Sequence, residues 1–219
     1  MNGLLTLAAL LLAFGPVAPP QQPVQPPPQT APQAAPAKQK RQGPRRGLTF
    51  AKASQNDHFK TVLVTCHGQP KPEGAQACNP SDGDTLCTER RPVLCLKPDG
   101  SPRPPYTVTS SEHSMPKEYY EGWAEGRLGV TPPVAGTSLT SLAAANALCE
   151  QALGKGYRMA EFHDGKYFEG MDAQNANGPS WPRDRLSAGG WAFHAFGAVP
   201  ADTRFWVSIN DQRGHCWDR

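Results

Sequence analysis

The sequence lacks the short motifs that announce catalysis. It has no Gly-x-Ser-x-Gly, no His-Glu-x-x-His, no Cys-x-x-Cys and no glycine-rich loop ending in Lys-Ser or Lys-Thr. A nucleophile elbow, a zincin helix, a thioredoxin-type redox pair, a zinc knuckle and a P-loop are all without support. Gly154-Lys155-Gly156 reads as a helix stop instead. Long apolar runs are missing too. The longest, Leu4 to Leu12 with Ala13-Phe14 behind it, falls short of the roughly 20 residues that span a bilayer. It has the length of a signal-peptide core, and Pro16-Val17-Ala18 offers small residues for cleavage, although no Lys or Arg precedes it. Residues 1–18 are therefore expected to be a signal peptide. The chain is then exported, to the periplasm, the cell surface or the medium. No Cys lies near the end of the run, so no lipid anchor on Cys is expected.

Residues 19–46 contain no Asp, no Glu and no aromatic residue. They are rich in Pro and Gln and then in base: Lys38, Lys40, Arg41, Arg45 and Arg46. Such a stretch cannot offset chain entropy by burial, and reads as a disordered, extended tether. Its five charges exceed the net +3 of the whole chain, and leave 17 Lys and Arg against 19 Asp and Glu elsewhere. The remainder is thus slightly acidic, which argues against a specific nucleic-acid reader. The tether itself suits anionic lipids or acidic envelope polymers, at roughly 1 kcal/mol per charge near a membrane, or serves as a solvated spacer.

Cysteine is absent before residue 66, and all six fall in the rest: Cys66, Cys78, Cys87, Cys95, Cys149 and Cys216. An even count in an exported chain favours disulfides over a structural zinc site. By layout the expected pairs are Cys66–Cys78, Cys87–Cys95 and Cys149–Cys216. Residues 47–219 are long enough for one domain with a real core, divided into a Cys-rich, loop-rich part (47–118) and a second part (119–219).

Phe59 to Cys66, Pro92 to Leu96, Tyr157 to Phe162, Trp191 to Phe196 and Arg204 to Ile209 read as strands. Residues 67–86, 98–118 and 166–190 read as loop. The aromatic, glycine-rich stretch from Tyr119 reads as turn-rich, with Trp123 buried. One helix is expected over 138–153, capped by Thr137 or Ser138, its inner face marked by Leu139, Leu142, Ala145, Cys149, Ala152 and Leu153. The fold class is α+β: a disulfide-stabilised domain of strands and loops around one or two helices.

LTSLAAANALCEQALGKGYRMAEFHDG and, further on, RFWVSINDQRGHCW resemble stretches of uncharacterised bacterial exported proteins. They also resemble the C-type-lectin-like and endostatin-like fold group, over about residues 120–219. The resemblance implies a C-type-lectin-like fold, with Cys149 on the helix bridged to the late Cys216 and a core strand beginning at Phe205-Trp206. The sequence departs from the sugar-binding members. Residues 166–203 hold no Glu-Pro-Asn or Gln-Pro-Asp, and Ile209-Asn210-Asp211 keeps only the last two residues of Trp-Asn-Asp.

The densest polar cluster is Glu161, His163 and Asp164. In a strand ending at residue 162, Glu161 and His163 share a face, which suits a metal site, an acid/base pair or a hydrogen-bonded turn. His58, His67, His194 and His215 are further imidazoles to join it. Asn210 and Asp211 with Glu161 offer oxygen ligands for calcium, or form a tight turn. No cofactor is firmly implied; calcium or another divalent metal is the one considered. Trp181, Trp191 and Trp217 are candidates to stack on sugar rings. The expected function is an extracytoplasmic binding or structural domain for a glycan, a cell-wall component or a protein, rather than an enzyme. The alternative is a secreted or periplasmic hydrolase using Glu161, His163 and Asp164.

Overall fold

The structure is a computed structural model and describes residues 43–71, 78–104, 121–165 and 191–217. All lie in the unit Lys40–Arg219. The expected signal peptide, most of the expected tether, the expected 166–190 loop and Trp181 lie outside the described residues.

The fold is a strand-rich α+β domain with three disulfides and, among the described residues, one α-helix. In chain order the strands are β1 (Arg46–Gly47), β2 (Thr49–Asn56), β3 (Thr61–Thr65), β4 (Thr85–Leu86), β5 (Arg90–Arg91), β6 (Leu94–Pro98), β7 (Glu121–Val130), β8 (Val134–Ala135), β9 (Arg158–Met159), β10 (Ala192–Gly197) and β11 (Arg204–Trp206). Helix α1 is Leu142–Leu153. Seven strands form one sheet in the order β11-β2-β3-β10-β7-β6-β9, antiparallel throughout except where β10 runs parallel to β7. Strands of the 47–118 and 119–219 parts thus share a single sheet.

The two ends of that sheet meet. Val93 bridges Trp206, and Glu161 bridges Ser208. The Trp206 amide donates to the Pro92 carbonyl at 2.8 Å, Ser208 to Ala160 at 2.9 Å and Phe162 to Ser208 at 2.8 Å. The sheet therefore closes as a barrel. Its interior is apolar: Phe50, Val62, Val64, Leu96, Phe193, Phe205 and their neighbours are buried together. Phe50 packs edge-on against Phe162 with ring centroids 5.7 Å apart. A second cluster lies between the barrel wall and α1, where Ala145 and Cys149 meet Val93, Cys95, Met159 and Trp206.

Several expectations are corrected. The pairs are Cys66–Cys78, as expected, but Cys87–Cys216 and Cys95–Cys149 in place of Cys87–Cys95 and Cys149–Cys216. Cys95 sits on β6 directly beneath α1, so the inward Cys149 meets it before any tail residue. The helix begins at Leu142, not 138, because Ser141 is the residue whose hydroxyl accepts the Ala144 amide, at 3.1 Å. Residues 136–138 form a short 3-10 turn. Leu142 consequently faces outward, 45% exposed, and Ala152 is exposed as well.

The stretch read as turn-rich is the longest strand, β7. Two of its glycines permit close approach: a Cβ on Gly126 would collide with the Lys97 carbonyl oxygen across the ladder, and one on Gly129 with Leu153 of α1. Trp123 is buried, as expected, and donates from Nε1 to the Ser101 carbonyl at 2.7 Å. Arg45 and Arg46, assigned to the tether, belong to the domain. Arg46 opens β1 and donates to the Asp84 carbonyl at 2.9 Å, and Arg45 donates to the Cys216 carbonyl.

Candidate functional site

The local half of the site is a turn that follows the Glu161 bridge. The Asp164 amide donates to the Glu161 carbonyl at 3.0 Å. That turn folds His163 back over Glu161. The Glu161 carboxylate accepts the His163 amide at 2.6 Å on Oε2, and its Oε1 lies 3.2 Å from His163 Nδ1. Asp164 is tied elsewhere. Its oxygens accept the Glu161 amide at 2.7 Å and two hydrogen bonds from the Arg158 guanidinium, one of them at 3.1 Å. Burial pushes its carboxyl upward, opposed by the Arg158 hydrogen bonds and charge.

The distant half arrives through the closed sheet. Ser208 pairs with Glu161, so the residues after it run past the turn. The Asn210 amide donates to Glu161 Oε1 at 3.0 Å, and Asp211 Oδ2 lies 3.9 Å from His163 Nε2. The five residues singled out from sequence are therefore brought together, though not as equals. Glu161 is the hub, with His163 and the Asn210 backbone on it. Asp211 is peripheral and 56% exposed. Asp164 belongs to Arg158.

The imidazole is held between two carboxylates. The hydrogen bond His163 donates to Glu161 raises the His163 pKa above its ordinary value, against burial, with the charges of Glu161, Asp211 and Asp164 adding to the rise. His67 moves the other way. It stacks on Trp191 at 5.2 Å, and burial, then the charge of Arg204, lowers its pKa. A proton NMR titration is expected to place His163 above, and His67 below, the unperturbed value of about 6.5. For His163 the folded state binds the proton more tightly than the unfolded chain. Its stabilising contribution is complete below about pH 6.5 and fades as pH rises through the raised value. The stability advantage of the native protein over His163→Gln should shrink accordingly between mildly acidic and mildly alkaline pH, as read from thermal midpoints.

This cluster is a poor metal site. Glu161 spends three of its roughly four acceptor positions on the backbone and on His163, and among the described residues no group of three His, Cys, Asp or Glu side chains stands ready to hold an ion. The reason is spacing: the turn places backbone amides, which a metal cannot replace, where further ligands would be needed.

Beside the hub lies a cleft of about 410 Å³, which sequence reasoning did not anticipate. Glu161, Ser208 and Ile209 line one part of it; Asn210, Gln212, His215, Trp217 and Leu142 line the rest. Three local devices build it. The Ser141 cap starts α1 late enough to leave Leu142 at its rim. The 209–217 segment is pinned where the Leu48 amide donates to the Gly214 carbonyl at 2.7 Å, a place so tight that a Cβ on Gly214 would lie 2.5 Å from the Pro80 oxygen. Cys216 is bonded to Cys87, which fixes Trp217 next in the chain. The indole of Trp217 lies flat on the His215 ring, with centroids 4.5 Å apart and planes 8° from parallel. Trp217 was legible as a candidate aromatic. Leu142 and Gln212 gave no signal, because their proximity depends on the barrel closing. No family model, curated protein or solved structure matches this chain.

Proposed function

We propose that this is an exported, non-enzymatic binding domain that recognises a glycan of the cell envelope or wall. The observation that carries the reading is the cleft beside Glu161. It combines an oriented Trp217, an apolar rim at Leu142, and the exposed amides of Asn210 and Gln212. Pyranose rings present an apolar C–H face and a rim of hydroxyls, so a flat indole with convergent amide and carboxylate groups matches both. The hydrolase alternative draws less support, because of its three residues Asp164 is committed to Arg158, and Glu161 is engaged by two backbone amides and by His163. A purely structural envelope role needs no cleft.

Affinity electrophoresis of the oxidised, mature chain through gels carrying soluble envelope polysaccharides provides the test. Retardation is expected for at least one polymer, and Trp217→Ala should weaken it by roughly thirtyfold, the loss of a central aromatic contact worth about 2 kcal/mol. Absence of retardation with turnover of a glycan would replace binding by hydrolysis.

A further inference from the structure

We infer that the saccharide taken by this cleft carries no acidic group: the ligand is a neutral or amino-bearing pyranose, and uronates and sulfated sugars are rejected. The inference rests on the glycan-binding reading above. Its basis is the charge and acceptor balance around Glu161.

An ionised carboxylate offers about four lone-pair sites. Three are taken at Glu161: Oε1 faces the Asn210 amide at 3.0 Å and His163 Nδ1 at 3.2 Å, and Oε2 accepts the His163 amide at 2.6 Å. One acceptor position on Oε2 remains, on a side chain that is 17% exposed and lines the cleft. Only a donor satisfies it, which in a saccharide means a hydroxyl, an amide N–H or an ammonium. A carboxylate or sulfate seated there would set two anions together in a partly desolvated place, and like charges so juxtaposed are strongly unfavourable.

The neighbouring cations do not reverse that sign. The His163 ring lies between Glu161 and Asp211, at 3.2 and 3.9 Å, so its positive charge is already shared by two carboxylates. Arg158 is paired with Asp164. Arg213, although in the same segment, is not among the residues lining the cleft. The remaining polar lining is uncharged amide and hydroxyl, apart from His215, which is stacked beneath Trp217.

The test is calorimetric titration of the oxidised, mature chain with three panels of hexasaccharides: neutral hexoses, chitosan oligomers and oligouronates. Binding of neutral or amino oligomers at least about tenfold tighter than uronates is expected. Raising the salt should weaken the amino arm and leave the neutral arm unchanged, which tells the two apart. Uronates bound as tightly as the others would overturn the inference while leaving the binding reading intact. No binding in any panel would sink both. Glu161→Gln, checked for an unchanged thermal midpoint, should narrow the discrimination against uronates; if that variant does not fold, the three-panel comparison on the native chain still decides.

Discussion

Replacing Arg204 with Met is expected to destabilise the domain by about 3–5 kcal/mol, the range for removing one partner of a buried, hydrogen-bonded ion pair. For a domain of this size that lowers the thermal midpoint by roughly 10 °C. Arg204 is only 1% exposed. Its guanidinium carries five N–H donors, and the structure occupies all of them. Nε donates to Thr49 Oγ1 at 2.6 Å; Nη1 donates to the carbonyls of Gly68 and Pro70 at 2.8 and 3.2 Å; Nη2 donates to those of Thr49 and Cys66 at 2.6 and 2.7 Å. Asp84, fully buried, supplies the opposing charge at 3.8 Å, and its own oxygens accept from the Thr49 and Thr85 hydroxyls at 2.6 and 2.8 Å. Met would leave Asp84 buried without its cation and four carbonyls without their donor. Lysine offers a point charge with three donors and is expected to recover only part of the loss. Denaturant titration of Arg204→Met and Arg204→Lys checks the order. A midpoint near the native one for Arg204→Met would show that the loops relax and admit water.

Loss of the Cys87–Cys216 bridge should be as damaging. The two positions are 129 residues apart, and in the chain-entropy model closing such a loop is worth about 5 kcal/mol, against about 3 kcal/mol for the short Cys66–Cys78 loop. The double variant Cys87→Ala/Cys216→Ala is expected to unfold at markedly lower denaturant than Cys66→Ala/Cys78→Ala. It should also lose any polysaccharide retardation that the native chain shows under the proposed reading, because Trp217 depends on that anchor for its place. Peptide mapping without reduction is the direct check of connectivity; a peptide joining Cys87 to Cys95 would refute it.

These two features mark where the sequence stopped being informative. Arg204 read as the first residue of a strand, and a charged residue at a strand end is ordinarily solvated. Its burial arises from β2 and the turns after β3 converging on it, which no local pattern announces. Strand β2 itself escaped notice. Only Thr49, Phe50 and Ala51 are buried, and the residues that follow are mostly exposed, so its alternation is weak. Strands β3, β6, β10 and β11, with their aromatic and β-branched residues, were legible, and so was the helix apart from its start; β7 was not, because its glycines read as turns. The misread disulfides share a cause with the missed cleft. Nearness along the chain was taken for nearness in space, whereas the barrel joins residues 92 and 161 to residues 206 and 208. The Glu161–His163 contact was readable because it is local. The part played by the Asn210 backbone, 49 residues away, was not.

Barrel closure has one more consequence. An open sheet of this composition would present a terminal strand such as Arg204–Trp206, whose unpaired amides and carbonyls could capture an extended segment of another chain. Here that strand is hydrogen-bonded on one side to β2 and on the other to residues 92 and 160–162 through its extension. Among the described residues the Arg204–Trp206 strand therefore leaves no open edge of the main sheet for strand addition.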